Sequence, residues 1–480
     1  MSVQYFLAWL LPWVTGCGIC LAVNRGRREP GDLAAAIGLG FLVGVFLAAV
    51  LSSVLALADT AHAFSRGAPW LAGIGLLAWT AVVVFREPAR APAFFARAEG
   101  MGWRVLWCLL LIAVLLRLGV IASETLLRPT FPWDAWAAWA VKPKAWFLLG
   151  HHVPYVPMQE WLTQSDLQTR TSGIWDYPEL LAWVQIWFAS ALGDWNEPLV
   201  NTVWVGALAA IGLGSYGQWR ALGLRPGLTM VLVYALMSLP LLDAHAALAG
   251  YADLWLAAAF GMAVLCWMRW MRQRNPGQLL LAVVFALSLP LIKLEGAVWL
   301  LIFALVVGLD MLSRRARRMV AVTLVSLAAV GIAVGGFPLP IFGLGWVHLA
   351  WGQVVIPALG ALDLHWRPVG GAMLSGLLTL PNWHLLWYAT PLVIALRWTA
   401  FAHDRCARSL GSLLAGCALF LFVLFFFTDA AAWAENYTSA NRLVLHIVPA
   451  LFSLIAVLLA DLHLPVASKS PEPTGPTAPG

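Results

Sequence analysis

Charge is what this sequence lacks most. Of its 480 residues only 11% are Asp, Glu, Lys or Arg, 61% are hydrophobic, and the mean hydropathy is +0.82. Soluble domains carry roughly 25% charged residues. No soluble core hides this much apolar sequence, so the soluble globular class is excluded. A second ligand pair is also missing. Cys17 and Cys20 form a C-x-x-C among six cysteines, but inside an apolar run and without partners, so they read as core packing rather than a zinc or redox site. The N-terminus lacks the basic segment that opens a signal peptide, so the first apolar run reads as a retained helix. No internal repeat is evident.

What is present is apolar runs separated by arginine. The runs predict about 13 membrane helices, over 3–23, 33–57, 69–85, 103–122, 199–216, 228–242, 251–268, 278–292, 296–312, 319–336, 372–396, 410–428 and 442–461. Arginines cluster in alternate connections, at Arg25, Arg27 and Arg28; Arg86, Arg90, Arg97 and Arg104; Arg220 and Arg225; Arg269, Arg272 and Arg274; Arg314, Arg315, Arg317 and Arg318; and Arg397, Arg405 and Arg408. The positive-inside rule puts these loops in the cytoplasm, the N-terminus outside and the C-terminus inside. The net charge of +6 therefore reflects topology rather than nucleic-acid binding. Residues 179–192 are apolar but short, and counting them as a span would invert every later loop. They are expected as a helix lying in the outer interface.

The expected fold is an all-α polytopic membrane protein with interfacial helices in a large first outer loop. It divides into N-terminal helices of unknown role over 1–102, a membrane domain over 103–461 with outer loops at 123–198 and 337–371, and a disordered cytoplasmic tail over 462–480. Long ordered loops in compact proteins are usually functional. The first outer loop holds nine of the 28 tryptophans. Trp133, Trp136, Trp139 and Trp146 have spacings that predict one helical face, so the loop is expected to lie on the membrane.

Four stretches could carry chemistry. In Phe131-Pro-Trp-Asp-Ala-Trp, Asp134 stands beyond the outer end of a membrane helix, with Lys142 and Lys144 downstream. A carboxylate there can act as general base toward a hydroxyl, its affinity for a proton raised by the tryptophans, while the lysines hold a phosphate leaving group. The structural alternative is a helix cap with snorkelling lysines. In Asp176-Tyr-Pro-Glu179, Asp176 is either a second catalytic carboxylate or the cap of the following helix. Lys293 and Glu295 in Ile-Lys-Leu-Glu-Gly stand at membrane depth or its outer edge, where charges are costly and usually functional; a water-facing hairpin is the alternative. Arg442 and His446 share a face of the last helix, and an outer arginine points either to phosphate or to a lipid headgroup. Arg117, Asp243, His245 and Asp253 are weaker candidates. His151 and His152 are adjacent, which suits shared coordination of one metal ion poorly.

Together these stretches resemble the polytopic glycosyltransferases of the GT-C fold that use lipid-linked sugars, among them protein O-mannosyltransferases and the aminoarabinose and galacturonic acid transferases of lipid A. The resemblance runs in order and spacing from about Arg104 to Leu459, through Trp133-Asp134-Ala-Trp136, Lys142-Pro-Lys144, Asp176-Tyr-Pro178, Lys293-Leu-Glu295 and Arg442-Leu-Val-Leu-His446. It differs in having four helices rather than one before the first outer loop, and Ala135 where a second carboxylate is usual.

The resemblance implies an inverting glycosyltransferase of the cell envelope. It would take a sugar from a polyprenyl-phosphate donor to a glycan, lipid or protein acceptor at the outer face of a bacterial inner membrane. Asp134 would be the base, and Lys142, Lys144, Lys293 and Arg442 would stabilise the departing phosphate. No cofactor is implied with certainty, a divalent metal being possible. The rival expectation is a transporter or flippase, which the missing repeat and the one-sided charges disfavour.

Overall fold

The computed structural model describes residues 2–24, 29–85, 100–164, 168–334, 336–341, 345–350, 352–356 and 360–460. Arg25, Arg27, Arg28, Arg86, Arg90, Arg97 and the expected tail fall outside them. The chain is an almost wholly helical polytopic membrane protein. Among the described residues eight helices are long and apolar enough to cross a membrane: Val3–Val23, Asp32–Leu55, Thr60–Phe85, Met101–Leu127, Glu197–Ala221, Asp253–Gln273, Arg405–Phe427 and Ala440–Ala460. A ninth is bent by 62° between Pro226–Met237 and Pro240–Ala247.

Of the other four expected spans, two are helices at nearly the expected bounds and two are not. Residues 278–292 and 296–312 become Pro276–Ile292 and Glu295–Met311, each of 17 residues, separated at Lys293 after the internal Pro290. The run 319–336 is helical as far as Ala333, within Arg314–Ala333, which opens on four arginines, and Gly336 already begins a strand. The run 372–396 is not one helix: Gly370–Leu374 and a π-helical turn at Ser375–Thr379 are separated from Leu386–Leu396. Hydropathy measures composition along a run and does not register such breaks. The second outer segment contains what the all-α expectation omitted, a small antiparallel meander of strands Gly336–Ile341, Gly345–Ala350, Gln353–Ile356 and Gly360–Asp363.

Two helices form the centre. Asp253–Gln273 is buried except at Trp270, Arg272 and Gln273, and Ala440–Ala460 except at Arg442, Leu459 and Ala460. Helices apolar on every side belong in an interior. By contrast, Met101–Leu127 buries only Val114, Ile121 and Thr125. The first two helices meet by close backbone approach: a Cβ on Gly44 would lie 1.7 Å from the Pro12 carbonyl oxygen. Small residues allow such contacts between membrane helices.

The short helix after Pro178 runs from Leu180 to Leu192. Its 13 residues extend about 20 Å, against a hydrocarbon layer of about 30 Å. Every residue but Leu192 is buried. The N-terminal helices cover it: Trp187 Nε1 donates to the Ala8 carbonyl (3.0 Å), and the Phe64 amide donates to Ser190 Oγ (2.9 Å). That assigns the described N-terminal helices a structural part. They also join the remaining helices directly, for Asp32 pairs with the buried Arg269. The boundary at 102 does not divide two cores.

The four leading tryptophans do not share a face. Trp133 and Trp136 are exposed, whereas Trp139 and Trp146 are buried. A π-helical turn over Ala135–Trp139, between Asp134 and the helix Val141–Leu149, shifts the register.

Candidate functional site

The two central helices begin at the same end of the bundle, and each carries charge in its first turn. Asp253 is the first residue of one and is completely buried. Its carboxylate accepts from four donors. Oδ1 takes Lys293 Nζ (2.9 Å) and His446 Nε2 (2.8 Å), while Oδ2 takes Arg442 Nε (3.0 Å) and Nη2 (2.8 Å). A charge without water is tolerable only when paired and hydrogen-bonded in this way.

Arg442 is clamped between two carboxylates. One edge of its guanidinium lies on Asp253, its face covers the Tyr251 ring at 4.5 Å, and Nη1 donates to Asp134 Oδ2. Asp253 is fully buried, whereas the Asp134 side chain is 40% exposed. The two contacts of Arg442 therefore face different surroundings, one sealed and one open. The local chain explains how Asp134 arrives there. Gly250 has φ +111°, and a Cβ on it would come within 2.5 Å of Ala135 Cβ. The turn holding Asp134 thus rests on a glycine one residue before Tyr251.

Lys293 lies between the ends of two helices in extended conformation, and its ammonium also meets Glu295 Oε1 at 3.0 Å. Glu295 Oε2 is buried with no hydrogen-bond partner among the described residues. His446 Nδ1 takes the indole N–H of Trp299 (3.2 Å). Since that group can only donate, Nδ1 is the acceptor and His446 is the neutral Nε2–H tautomer. His245 donates from Nδ1 to the Leu241 carbonyl (2.8 Å), and its Nε2, 4.0 Å from Asp253 Oδ2, has no hydrogen bond among the described residues. Three carboxylates here face two cations, and the unsatisfied atoms Glu295 Oε2 and His245 Nε2 are acceptors.

The other expected site residues have other partners. Lys142 is buried, and its ammonium donates to the carbonyls of Trp175 and Tyr177, both at 2.8 Å. It is a strut under the 175–177 turn rather than an open phosphate ligand. Burial lowers the pKa of its ammonium, against the opposing charges of Glu179 and Asp176. Lys144 pairs with Glu197 at 2.7 Å, and Glu197 also accepts from the Thr130 amide (3.0 Å). Asp176 is exposed and does not cap the short helix; the cap position is Glu179, whose side chain makes no capping hydrogen bond, and Pro178 precedes it. Tyr177, beside Asp176, packs edge-on against Trp139 with ring centroids 5.1 Å apart. The Tyr177 phenol is pushed up to about 12, chiefly by burial and next by the charge of Glu295.

Of the expected residues the structure thus brings together Asp134, Lys293, Glu295, Arg442 and His446. It adds Asp253 at their centre, with Tyr251, His245 and Trp299. The other weak candidates, Arg117 and Asp243, pair with each other. His152 Nε2 meets Glu179 at 3.1 Å, whereas His151 Nδ1 meets the Leu149 carbonyl, so the adjacent histidines serve different partners. Among the described residues no three His, Cys, Asp or Glu side chains converge as a metal-binding group. Placed beside known proteins, the chain matches no family model, no curated protein and no solved structure.

Proposed function

We propose that this protein is a membrane glycosyltransferase that moves a sugar from a polyprenyl-phosphate donor to an acceptor hydroxyl, at the non-cytoplasmic face of a bacterial plasma membrane. The observation that carries the reading is the open carboxylate of Asp134 held against an arginine whose other edge is locked on buried Asp253. A base and a fixed cation stand side by side, as displacement of a phosphate by a hydroxyl requires. Asp134 takes the proton of the acceptor hydroxyl. The oxygen then forms its bond to the anomeric carbon as the bond from that carbon to the phosphate oxygen breaks. The electron pair leaves with the polyprenyl phosphate, whose charge Arg442 and Lys293 stabilise. Direct displacement inverts the anomeric centre.

The test is transfer of labelled sugar by membranes carrying matched amounts of each variant. Asp134→Asn retains size and hydrogen bonding but cannot accept the proton, so transfer should fall by about 10²–10⁴-fold. Near-normal transfer by this variant removes Asp134 as the base. One observation favours a second reading, a transporter of a lipid or small solute: the helix broken by 62° between Met237 and Pro240 is of a kind that transporters use around their substrates. Passage of a labelled lipid or solute across vesicles, without any sugar transfer, would favour that reading.

A further inference from the structure

We propose that Asp134 occupies the phosphate site of Arg442 in the empty protein, and that an arriving phosphate displaces it and frees it for the acceptor. This rests on the glycosyltransferase reading and adds an exchange step to it. Arg442 is held on three sides. Asp253 takes Nε and Nη2, Tyr251 covers the guanidinium face at 4.5 Å, and Asp134 takes Nη1. The Asp253 contacts are sealed, since that residue has no exposed surface and is also held by Lys293 and His446. The Asp134 contact is open to its surroundings. An anion approaching the cluster therefore finds one replaceable ligand, and it is a carboxylate on the edge of an arginine that phosphate also fits.

Lys293 does not offer an easier entry. Its ammonium is buried and already lies between Asp253 and Glu295, 2.9 and 3.0 Å away. Exchange at Arg442 keeps one anion on the open edge of the guanidinium, because a phosphate replaces the carboxylate there. The carboxylate turns away still charged, competent to take a proton. The base then exists as a free group only when the leaving group is seated, which orders the two binding events.

The test is equilibrium binding of farnesyl phosphate, with inorganic phosphate as a second probe, to the purified full-length protein in neutral detergent. If Asp134 competes for the site, its removal should tighten binding even as transfer is lost. Asp134→Ala should lower the dissociation constant by about 10-fold or more, the scale of one hydrogen bond to a charged group. Asp134→Asn should tighten less, since its amide oxygen still accepts from Arg442. Arg442→Gln should abolish the effect of Asp134→Ala. Tightening for both probes assigns the site to phosphate itself, and tightening for farnesyl phosphate alone assigns it to a lipid-borne phosphate; either supports the exchange. Unchanged or weaker binding in Asp134→Ala, with its unfolding temperature unchanged, overturns it. So does absence of binding to every form. Tightening in Asp134→Ala, when the wild-type protein itself transfers no sugar, keeps the exchange and removes the enzyme reading, so the two can fail separately.

Discussion

Replacing Asp253 by Asn should damage this protein more than any other single change at the site. The substitution retains shape but removes the charge that four donors converge on. Removing one partner from a buried ion pair typically costs about 3–5 kcal/mol, because the other charge is left uncompensated. Here two cations are affected, yet each retains a carboxylate: Lys293 keeps Glu295 and Arg442 keeps Asp134. The loss should therefore sit near the low end, at about 3 kcal/mol. The asparagine NH2 must also face the two donors that one carboxylate oxygen served, so two hydrogen bonds are lost.

Asp134→Asn is the matched control. It removes only the charge from the open side of the same arginine, since the asparagine oxygen still accepts from Nη1, so the loss should be about 0–1 kcal/mol. Unfolding of both variants can be followed in one detergent by tryptophan fluorescence. A double-mutant cycle between Asp253→Asn and Arg442→Gln then isolates the coupling, expected at about 1 kcal/mol or more for contacting charges. Equal stabilities for the two single variants would refute the assignment of Asp253 as the anchor, and so would a larger loss in Asp134→Asn.

Three further outcomes are expected. Lys142 has its pKa lowered by burial, so between that lowered value and the ordinary 10.5 the unfolded chain binds more protons than the folded one. Stability should therefore rise with pH through that window, and Lys142→Met, which also frees the 175–177 turn, should flatten the rise in unfolding temperature. Gly44→Leu should prevent the first two helices from meeting, since even a Cβ would lie 1.7 Å from a backbone oxygen, and loss of folded protein after detergent extraction measures this. Cysteine labelling in intact cells should reach position 165 and not position 316, and the reverse would overturn the proposed sidedness.

The sequence by itself determined that the chain crosses a membrane many times and marked several of the residues at its charged end. Both follow from local properties: hydropathy is read residue by residue, and a charge in an apolar run announces itself. Asp134, Lys293, Glu295, Arg442 and His446 were visible for that reason. Lys142 and Lys144 looked like the same kind of residue, because spacing does not reveal which acceptor an ammonium finds. Asp253 ranked low because the first residue of a helix beside a short loop is an ordinary place for an aspartate. Arg269 looked like one more loop charge, though its helix continues to Gln273 and buries it against Asp32. The break between Thr379 and Leu386 escaped because hydropathy averages over a window. Only the tertiary structure decided which charges neutralise one another. The partners of Arg442 lie 189 and 308 positions away along the chain, and in a low-dielectric interior the pairing depends on separation in space rather than in sequence.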